Sequence, residues 1–154
     1  MADNWTHLKK AISYKGINAR QKELFNFQKI AATFADYGFN CIKLADDWQG
    51  ADFIAYNVND NKTLKVQLKS RLTINKKYSG KEKDIWIAFP YNNTWYLIKH
   101  DSLVEKVGKH TIWLNSDAWK KGLYHSTSIN PNLLKSLDEE DRLGPVYSLS
   151  SNNT

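Results

Sequence analysis

Three side chains with chemistry to offer lie close together in the chain: Asp52, Gln67 and Lys69. Asp52 follows Gly50-Ala51 and opens the apolar run Phe53-Ile54-Ala55-Tyr56. Gln67 and Lys69 close the alternating run Leu64-Lys65-Val66-Gln67-Leu68-Lys69. Asn57 to Asn61 between them is polar and rich in turn formers, so the segment reads as a β-hairpin. A tight turn centred on Asp60 and Asn61 sets Lys69 opposite Asp52. Strand side chains alternate, which puts Gln67 and Lys69 on one face and Val66 and Leu68 on the other. A carboxylate, an amide oxygen and an amine then meet at one end of the ladder. Hard oxygen donors suit Mg²⁺, which keeps several waters and so needs few protein ligands. An ammonium beside them can orient a water or stabilise developing negative charge. Phosphodiester hydrolysis asks for that combination: an activated water, neutralised phosphoryl oxygens and a protonated leaving alkoxide.

Glu23 is a second carboxylate to account for. It shares a row with Phe27, Ile30 and Phe34 on a predicted helix, and that row faces or borders the core. A carboxylate there needs a partner, because an unpaired buried charge is expensive. A metal ion at the Asp52 corner is one partner. A salt bridge to Arg20 or Lys22, or a first-turn acid complementing the helix dipole, is the other reading.

Charge concentrates just beyond the corner. The chain holds 22 Lys and Arg against 16 Asp and Glu, a net +6. Between Lys65 and Lys83 seven basic residues (Lys65, Lys69, Arg71, Lys76, Lys77, Lys81 and Lys83) face the single acid Glu82. That stretch alone nets +6, so the remainder is balanced. A solvated lysine-rich loop is the plain reading of such a run. Its placement directly after Lys69 favours a polyanionic partner, with Arg71, Lys76, Lys77, Lys81 and Lys83 as the phosphate-contacting side chains.

The order Asp52, Gln67, Lys69, with Glu23 upstream, resembles the PD-(D/E)XK nuclease superfamily, the fold of many restriction enzymes. Gln67 stands where the usual pattern has Glu or Asp, and Lys69 matches its lysine. Gly50-Ala51 replaces the proline before the aspartate. The Gln-x-Lys form is similar to the Mrr-like branch. The small size and the run Trp95-Tyr96-Leu97-Ile98 resemble small intron-encoded homing endonucleases of this fold. The resemblance extends over about residues 18–100. It implies a restriction-endonuclease-like α/β (α+β) fold, a mixed central sheet flanked by helices. It also implies Mg²⁺, with Mn²⁺ substituting, held by Asp52, Gln67, Glu23 and the backbone carbonyl of Leu68. Lys69 would act at the attacking water and double-stranded DNA would be the substrate, in restriction, homing or repair. One site cuts one strand, so double-strand cleavage implies a homodimer or tetramer. With Gln67 neutral, Asp52 and Glu23 carry the ligand charges. A non-catalytic nucleic-acid-binding module of the same fold therefore stays open, as does an interaction protein whose basic loop meets an acidic partner.

The elements that must position these groups can be read from local signals. Trp5, Leu8 and Ile12 suggest a short helix. Asn18 with Gln21 forms a capping box for a helix to about Tyr37, stopped by Gly38, with Leu24, Phe27, Ala31, Phe34 and Ala35 as its buried stripe. Strands follow at Phe39 to Leu44, 52–58 and 63–74, with Asp46 to Gly50 a turn. Ile85 to Phe89 is apolar throughout, as in a central strand covered on both faces, and Trp95 to Ile98 returns from the turn at Pro90 to Asn93. Asp101 or Ser102 opens a short helix to Val107, ended by Gly108. Ile112 to Leu114 reads as a strand, Ser116 caps a helix to Lys121, and Asn130-Pro131 starts the last helix. Residues 1–147 form one domain and 148–154 a polar tail.

Composition bounds the rest. A chain of 154 residues with 42% hydrophobic and 13% aromatic content suits a single domain with a real core. No apolar run is long enough to span a membrane, and Met1 to Asn4 begins no apolar signal segment, so cytoplasmic residence is expected. Cys41, the single cysteine, excludes an internal disulfide and a Cys-rich zinc site. His7, His100, His110 and His125 lack metal-ligand spacing and read as surface or core packing. Asp138 to Asp141 reads as a solvated helix end. Trp86, Trp95 and Trp113 belong in the core, while Trp48 is a candidate for DNA contact, with packing the plainer role.

Overall fold

Asn18 starts the first long helix, α1 (Ala19–Ala35), through the expected box: its side chain accepts from the Gln21 backbone N–H while the Gln21 side chain accepts from the Asn18 N–H. Gly38, at φ 79°, lets the chain leave the helix in a conformation other residues resist. The computed structural model describes residues 5–144. The tail 148–154, and the last residues of the expected domain, lie outside them. Within the described residues, 3₁₀ turns at Trp5–Lys9 and Tyr14–Gly16 replace the expected N-terminal helix.

The strands follow in the order β1 (Phe39–Trp48), β2 (Ala51–Asn57), β3 (Thr63–Leu68), β4 (Leu72–Asn75), β5 (Ile85–Tyr91) and β6 (Thr94–Lys99). Then come α2 (His100–His110), α3 (Asp117–Lys120), β7 (Leu123–Ser126), α4 (Pro131–Glu140) and β8 (Arg142–Leu143). The main sheet runs β1-β2-β3-β5-β6-β8, antiparallel except where β3 lies parallel to β5; β4 and β7 form a separate two-stranded sheet. This is the mixed α+β arrangement, a central sheet flanked by helices, that the sequence leads one to expect. Among the described residues no helix is long and apolar enough to cross a membrane.

The two faces of the main sheet build two cores. Phe53, Ala55, Val66 and Ala88 pack under Ile30 and Phe34 of α1. Ile85, Ile87, Phe89, Tyr96 and Ile98 point the other way, toward Leu103 and Val107 of α2 and Leu133 and Leu137 of α4. Asp52 and Gln67 alternate with Phe53 and Val66, so they belong to the face opposite α1. Truncating the fully buried Phe53 to Ala would cost about 3–5 kcal/mol and loosen the strand that carries Asp52.

Several local expectations are corrected. The run 63–74 is two strands, because Ser70 and Arg71 leave the main sheet after Lys69 and β5 takes the parallel place beside β3. β1 continues through Asp46 and Asp47, and the turn is confined to Gln49 and Gly50. Trp113–Asn115 is a 3₁₀ turn rather than a strand, its start held by the Thr111 hydroxyl, which accepts from the Trp113 N–H. α2 starts at His100 and runs through Gly108 to His110. On α1 the buried positions are Ile30 and Phe34, while Leu24 and Ala35 face solvent. The acidic cluster after Leu137 is not simply solvated: Asp138 accepts from Tyr96 Oη, and Glu140 and Asp141 hold Lys106 Nζ.

Candidate active site

Hairpin register decides which groups meet. Phe53 pairs with Val66 and Ile54 with Lys65, so Asp52 lies across from Gln67 rather than Lys69. The cause is the turn. The Asn57 N–H donates to the Lys62 carbonyl at 2.7 Å, the Asn57 side chain accepts from the Asn59 N–H, and the Asp60 side chain accepts from the Lys62 N–H. These bonds centre the loop on Asn59 and Asp60, one residue before the expected tight turn, and the pairing shifts by two residues.

The shift joins Asp52 and Gln67 directly. Gln67 Nε2 donates to Asp52 Oδ2 at 2.5 Å, and the Leu68 N–H donates to the same oxygen at 2.9 Å. Asp52 Oδ1 stays outside both bonds. Gln67 is 6% exposed, and its Oε1 is buried with no hydrogen-bond partner. A buried acceptor left unpaired costs about 1–3 kcal/mol, so this oxygen calls for a ligand. Opposite Asp52 the β1 ladder is irregular between Lys43 and Trp48, the kind of bulge that re-aims side chains beside sites.

Lys69 stands one step past β3. Its N–H donates to the Ala88 carbonyl at 2.8 Å, which extends the parallel ladder and fixes its backbone. Its Nζ lies over the Tyr78 ring, 5.5 Å from the centroid. Burial is the chief cause holding the Lys69 amine below its ordinary value; the Asp52 charge opposes that shift, Lys77 adds to it and Asp47 opposes it. Burial likewise raises the Asp52 carboxyl, against the Leu68 N–H, the Lys69 charge and the Gln67 amide, while Glu23 adds to the rise. The site is therefore half-desolvated, and its acid and amine feel one another.

The other expected residues sort differently. Glu23 is exposed and ion-paired with Lys43 Nζ at 2.8 Å. It belongs to the helix on the opposite sheet face, and its charge reaches Asp52 without its oxygens joining Gln67. In the basic segment, Lys77 and Lys83 line a cleft of about 510 Å³ with Lys65, Gly50 and Tyr78, and the acids Asp47 and Glu82 line it too. Lys76 is turned away, over the Trp119 ring and toward the Lys120 carbonyl. Arg71 and Lys81 are exposed. Trp48 is exposed, and Trp86, Trp95 and Trp113 are half-buried.

Two further groups complete the corner. Asp47 Oδ1 accepts from the Gly50 N–H at 2.7 Å and adds charge near Lys69 and Tyr78. Tyr78 is 3% exposed. A Cβ on Gly50 would lie 3.3 Å from Tyr78 Cδ1, and Gly50 has φ 86°, so both space and backbone demand glycine there. The available signals were Tyr78 as the one aromatic among the charges of Lys76 to Asp84, and Asp47 three residues before a glycine.

The donors fit a hard divalent cation. Asp52 Oδ1, Gln67 Oε1 and a backbone carbonyl are all oxygens, and one of them is already desolvated and unpartnered. Among the described residues no group of three or more His, Cys, Asp or Glu side chains gathers around a point, so such an ion would rest on this mixed set.

No family model matches the chain, and no curated protein matches it. Among solved structures a bacterial homing endonuclease is similar to it, with 11% sequence identity and a TM-score of 0.44 over 73% of this chain and 78% of that one.

Proposed function

We propose that the protein is a metal-dependent endonuclease that hydrolyses phosphodiester bonds in double-stranded DNA, with Asp52, Gln67 and Lys69 as its PD-(D/E)XK-type centre. The observation that carries this reading is the buried, unpartnered Gln67 Oε1 beside a desolvated aspartate and within the field of an amine. Asp52 Oδ1, Gln67 Oε1 and the Leu68 carbonyl would hold Mg²⁺ or Mn²⁺, while Glu23, ion-paired with Lys43 on the α1 side of the sheet, would act on the site through its charge alone. The ion, when bound, polarises the phosphoryl oxygens and supplies an activated water.

The chain's own groups do the rest. The Leu68 N–H and the Gln67 amide orient the Asp52 carboxylate by holding Oδ2, which leaves Oδ1 for the ion. Lys69, with its backbone locked to Ala88, presents an ammonium to the attacking water or to the charge developing on phosphate. Lys77 and Lys83 bind the flanking backbone along the cleft, with Arg71 and Lys81 farther out. Cutting both strands takes a homodimer or tetramer.

The test is cleavage of supercoiled plasmid DNA with Mg²⁺ or Mn²⁺ against EDTA, for the wild type and Asp52→Ala. Cutting that needs the ion and disappears in the variant, with DNA binding retained, is the expected result. Cutting that survives EDTA or the substitution overturns it. Salt-sensitive DNA binding with no cutting under any ion would instead mark a non-catalytic nucleic-acid-binding module.

A further inference from the structure

We infer that Tyr78 aims the Lys69 ammonium at the site, with His100 as the brace that fixes Tyr78; this rests on the catalytic role proposed for Lys69.

Lys69 needs such a guide. A lysine carries four flexible carbons, and among the described residues Lys69 forms no ion pair. Its fixed neighbour is the Tyr78 ring, 5.5 Å from Nζ, a ring that Lys77 Nζ also approaches, at 5.0 Å. A cation over an aromatic face is attracted by the ring's electron density, more strongly as the pair is desolvated. That attraction favours the arrangement of the side chain in which the ammonium lies over the ring.

Tyr78 belongs to no strand of the main sheet. It ends the 3₁₀ turn Lys76–Tyr78 in the crossover from β3 to β5, yet it is 3% exposed. Its position has identifiable causes. The ring rests against Gly50 on one side. On another it meets His100 edge to face, with centroids 5.7 Å apart and planes at 73°. His100, 1% exposed, accepts the Asn75 N–H on Nε2 at 3.0 Å, and the Asn75 side chain accepts the Lys77 N–H at 3.0 Å. A chain of contacts therefore runs from His100 through Asn75 and the turn to Tyr78 and Lys69. The loop beyond is clamped as well: Lys83 Nζ donates to the Lys77 carbonyl at 2.6 Å, and the Gly80 N–H donates to Asp101 at 3.1 Å.

It is the ring, rather than the hydroxyl, that does the aiming. Burial, reinforced by Asp52 and Asp47, pushes the Tyr78 hydroxyl up to about 12, so it remains neutral. The experiment separates ring from hydroxyl and Tyr78 from its brace. Single-turnover cleavage with Mg²⁺, DNA affinity with Ca²⁺, and acylation of Lys69 read by peptide mass spectrometry are measured on five proteins. These are the wild type, Tyr78→Phe, Tyr78→Leu, His100→Gln and His100→Leu. Tyr78→Phe and His100→Gln, which keeps an acceptor for Asn75, should cut nearly as the wild type does. Tyr78→Leu should lose about tenfold in the chemical step, and His100→Leu a smaller factor, at unchanged DNA affinity. Lys69 should acylate faster in both leucine variants and at the wild-type rate in the conservative ones. His100→Leu keeps the comparison available should Tyr78→Leu fail to fold. An active wild type matched by Tyr78→Leu or His100→Leu in rate overturns the inference and leaves the nuclease reading standing. A wild type that never cuts overturns the nuclease reading, and equal acylation across all five overturns the ring–ammonium contact independently.

Discussion

Gln67 donates its side-chain Nε2 to Asp52 Oδ2 at 2.5 Å while its own Oε1 stays buried without a partner. One side chain thus holds the anionic oxygen in place and offers a neutral one beside it. A glutamate could do only half of this, since an ionised carboxylate accepts and never donates.

Gln67→Glu follows from that geometry. Without an ion, two carboxylates would stand at hydrogen-bonding distance and share a proton, which raises the apparent pKa of the pair. The proton is lost as pH rises, so the ion-free variant should be less stable than the wild type at pH 8, by about 1–3 kcal/mol. A divalent ion should reverse the loss. Thermal melts with and without Mg²⁺ would then show a larger ion-induced rise in the variant. Identical rises in the two proteins would remove Gln67 from the ligand set.

Asp52→Asn separates stability from function. Burial is the largest cause acting on Asp52, and it raises the carboxyl above its ordinary value. An acid raised on folding destabilises the fold once ionised, and the penalty is relieved as pH falls through the raised value. Asparagine keeps an acceptor for Gln67 Nε2 and the Leu68 N–H without the charge. The variant should melt a few degrees higher than the wild type at pH 8, with the difference shrinking toward acid, while cleavage is lost. About 1 kcal/mol corresponds to about 2–4 °C in a chain of this size. A lower melting point at pH 8 would mean that the favourable contacts of Asp52 outweigh its burial.

How the site could be read from the sequence divides along physical lines. The α1 capping box, the stop at Gly38 and the Asn130-Pro131 start of α4 were legible, because each is set by residues within a turn of one another. So was the gathering of Asp52 and Gln67, which a hairpin brings together under either register. The register itself was not legible, because the side-chain bonds of Asn57 and Asp60 decide where the loop centres. Leu72 to Ile74 read as more of β3, since nothing local announces that Ile85 takes the place beside it. Tyr78 and His100 meet across 22 residues through a crossover, and a lone histidine carries no trace of such a contact.

The pH dependence of cleavage should be narrowed from both sides. Burial lifts Asp52 above 3.8 and, as the largest cause, lowers Lys69 below 10.5. The working forms are the carboxylate and the ammonium. Single-turnover rates should rise with pH through the lifted acid and fall again before an ordinary lysine would titrate. Lys69→Ala should lower the plateau by about 10²–10³ and remove the alkaline fall, with little change in melting temperature. An alkaline limb that persists in Lys69→Ala would assign that titration to another group.

The basic segment gives a binding prediction separable from chemistry, and the structure refines which lysines should carry it. Lys76 is engaged with Trp119 and the Lys120 carbonyl, and Lys83 Nζ holds the Lys77 carbonyl at 2.6 Å. Replacing Lys76, Lys77, Lys81 and Lys83 together would therefore disturb local structure as well as remove charge. Lys83→Gln loosens the loop that carries Tyr78 and should lower the melting point slightly, by up to about 1 kcal/mol for an exposed hydrogen bond. Arg71 and Lys81 are exposed, so Arg71→Gln and Lys81→Gln are the cleaner probes. If each contacts a phosphate, the slope of log K against log salt should fall by about 0.9 per substitution, with melting temperature unchanged. Cleavage at saturating DNA and low salt should be preserved, because neither residue belongs to the Asp52–Gln67–Lys69 corner. A salt slope that stays at the wild-type value in the double variant, measured by fluorescence anisotropy on duplex DNA, would show that this side of the loop faces away from the substrate. The duplex would then have to approach over Lys65, Lys77 and the cleft they share with Tyr78.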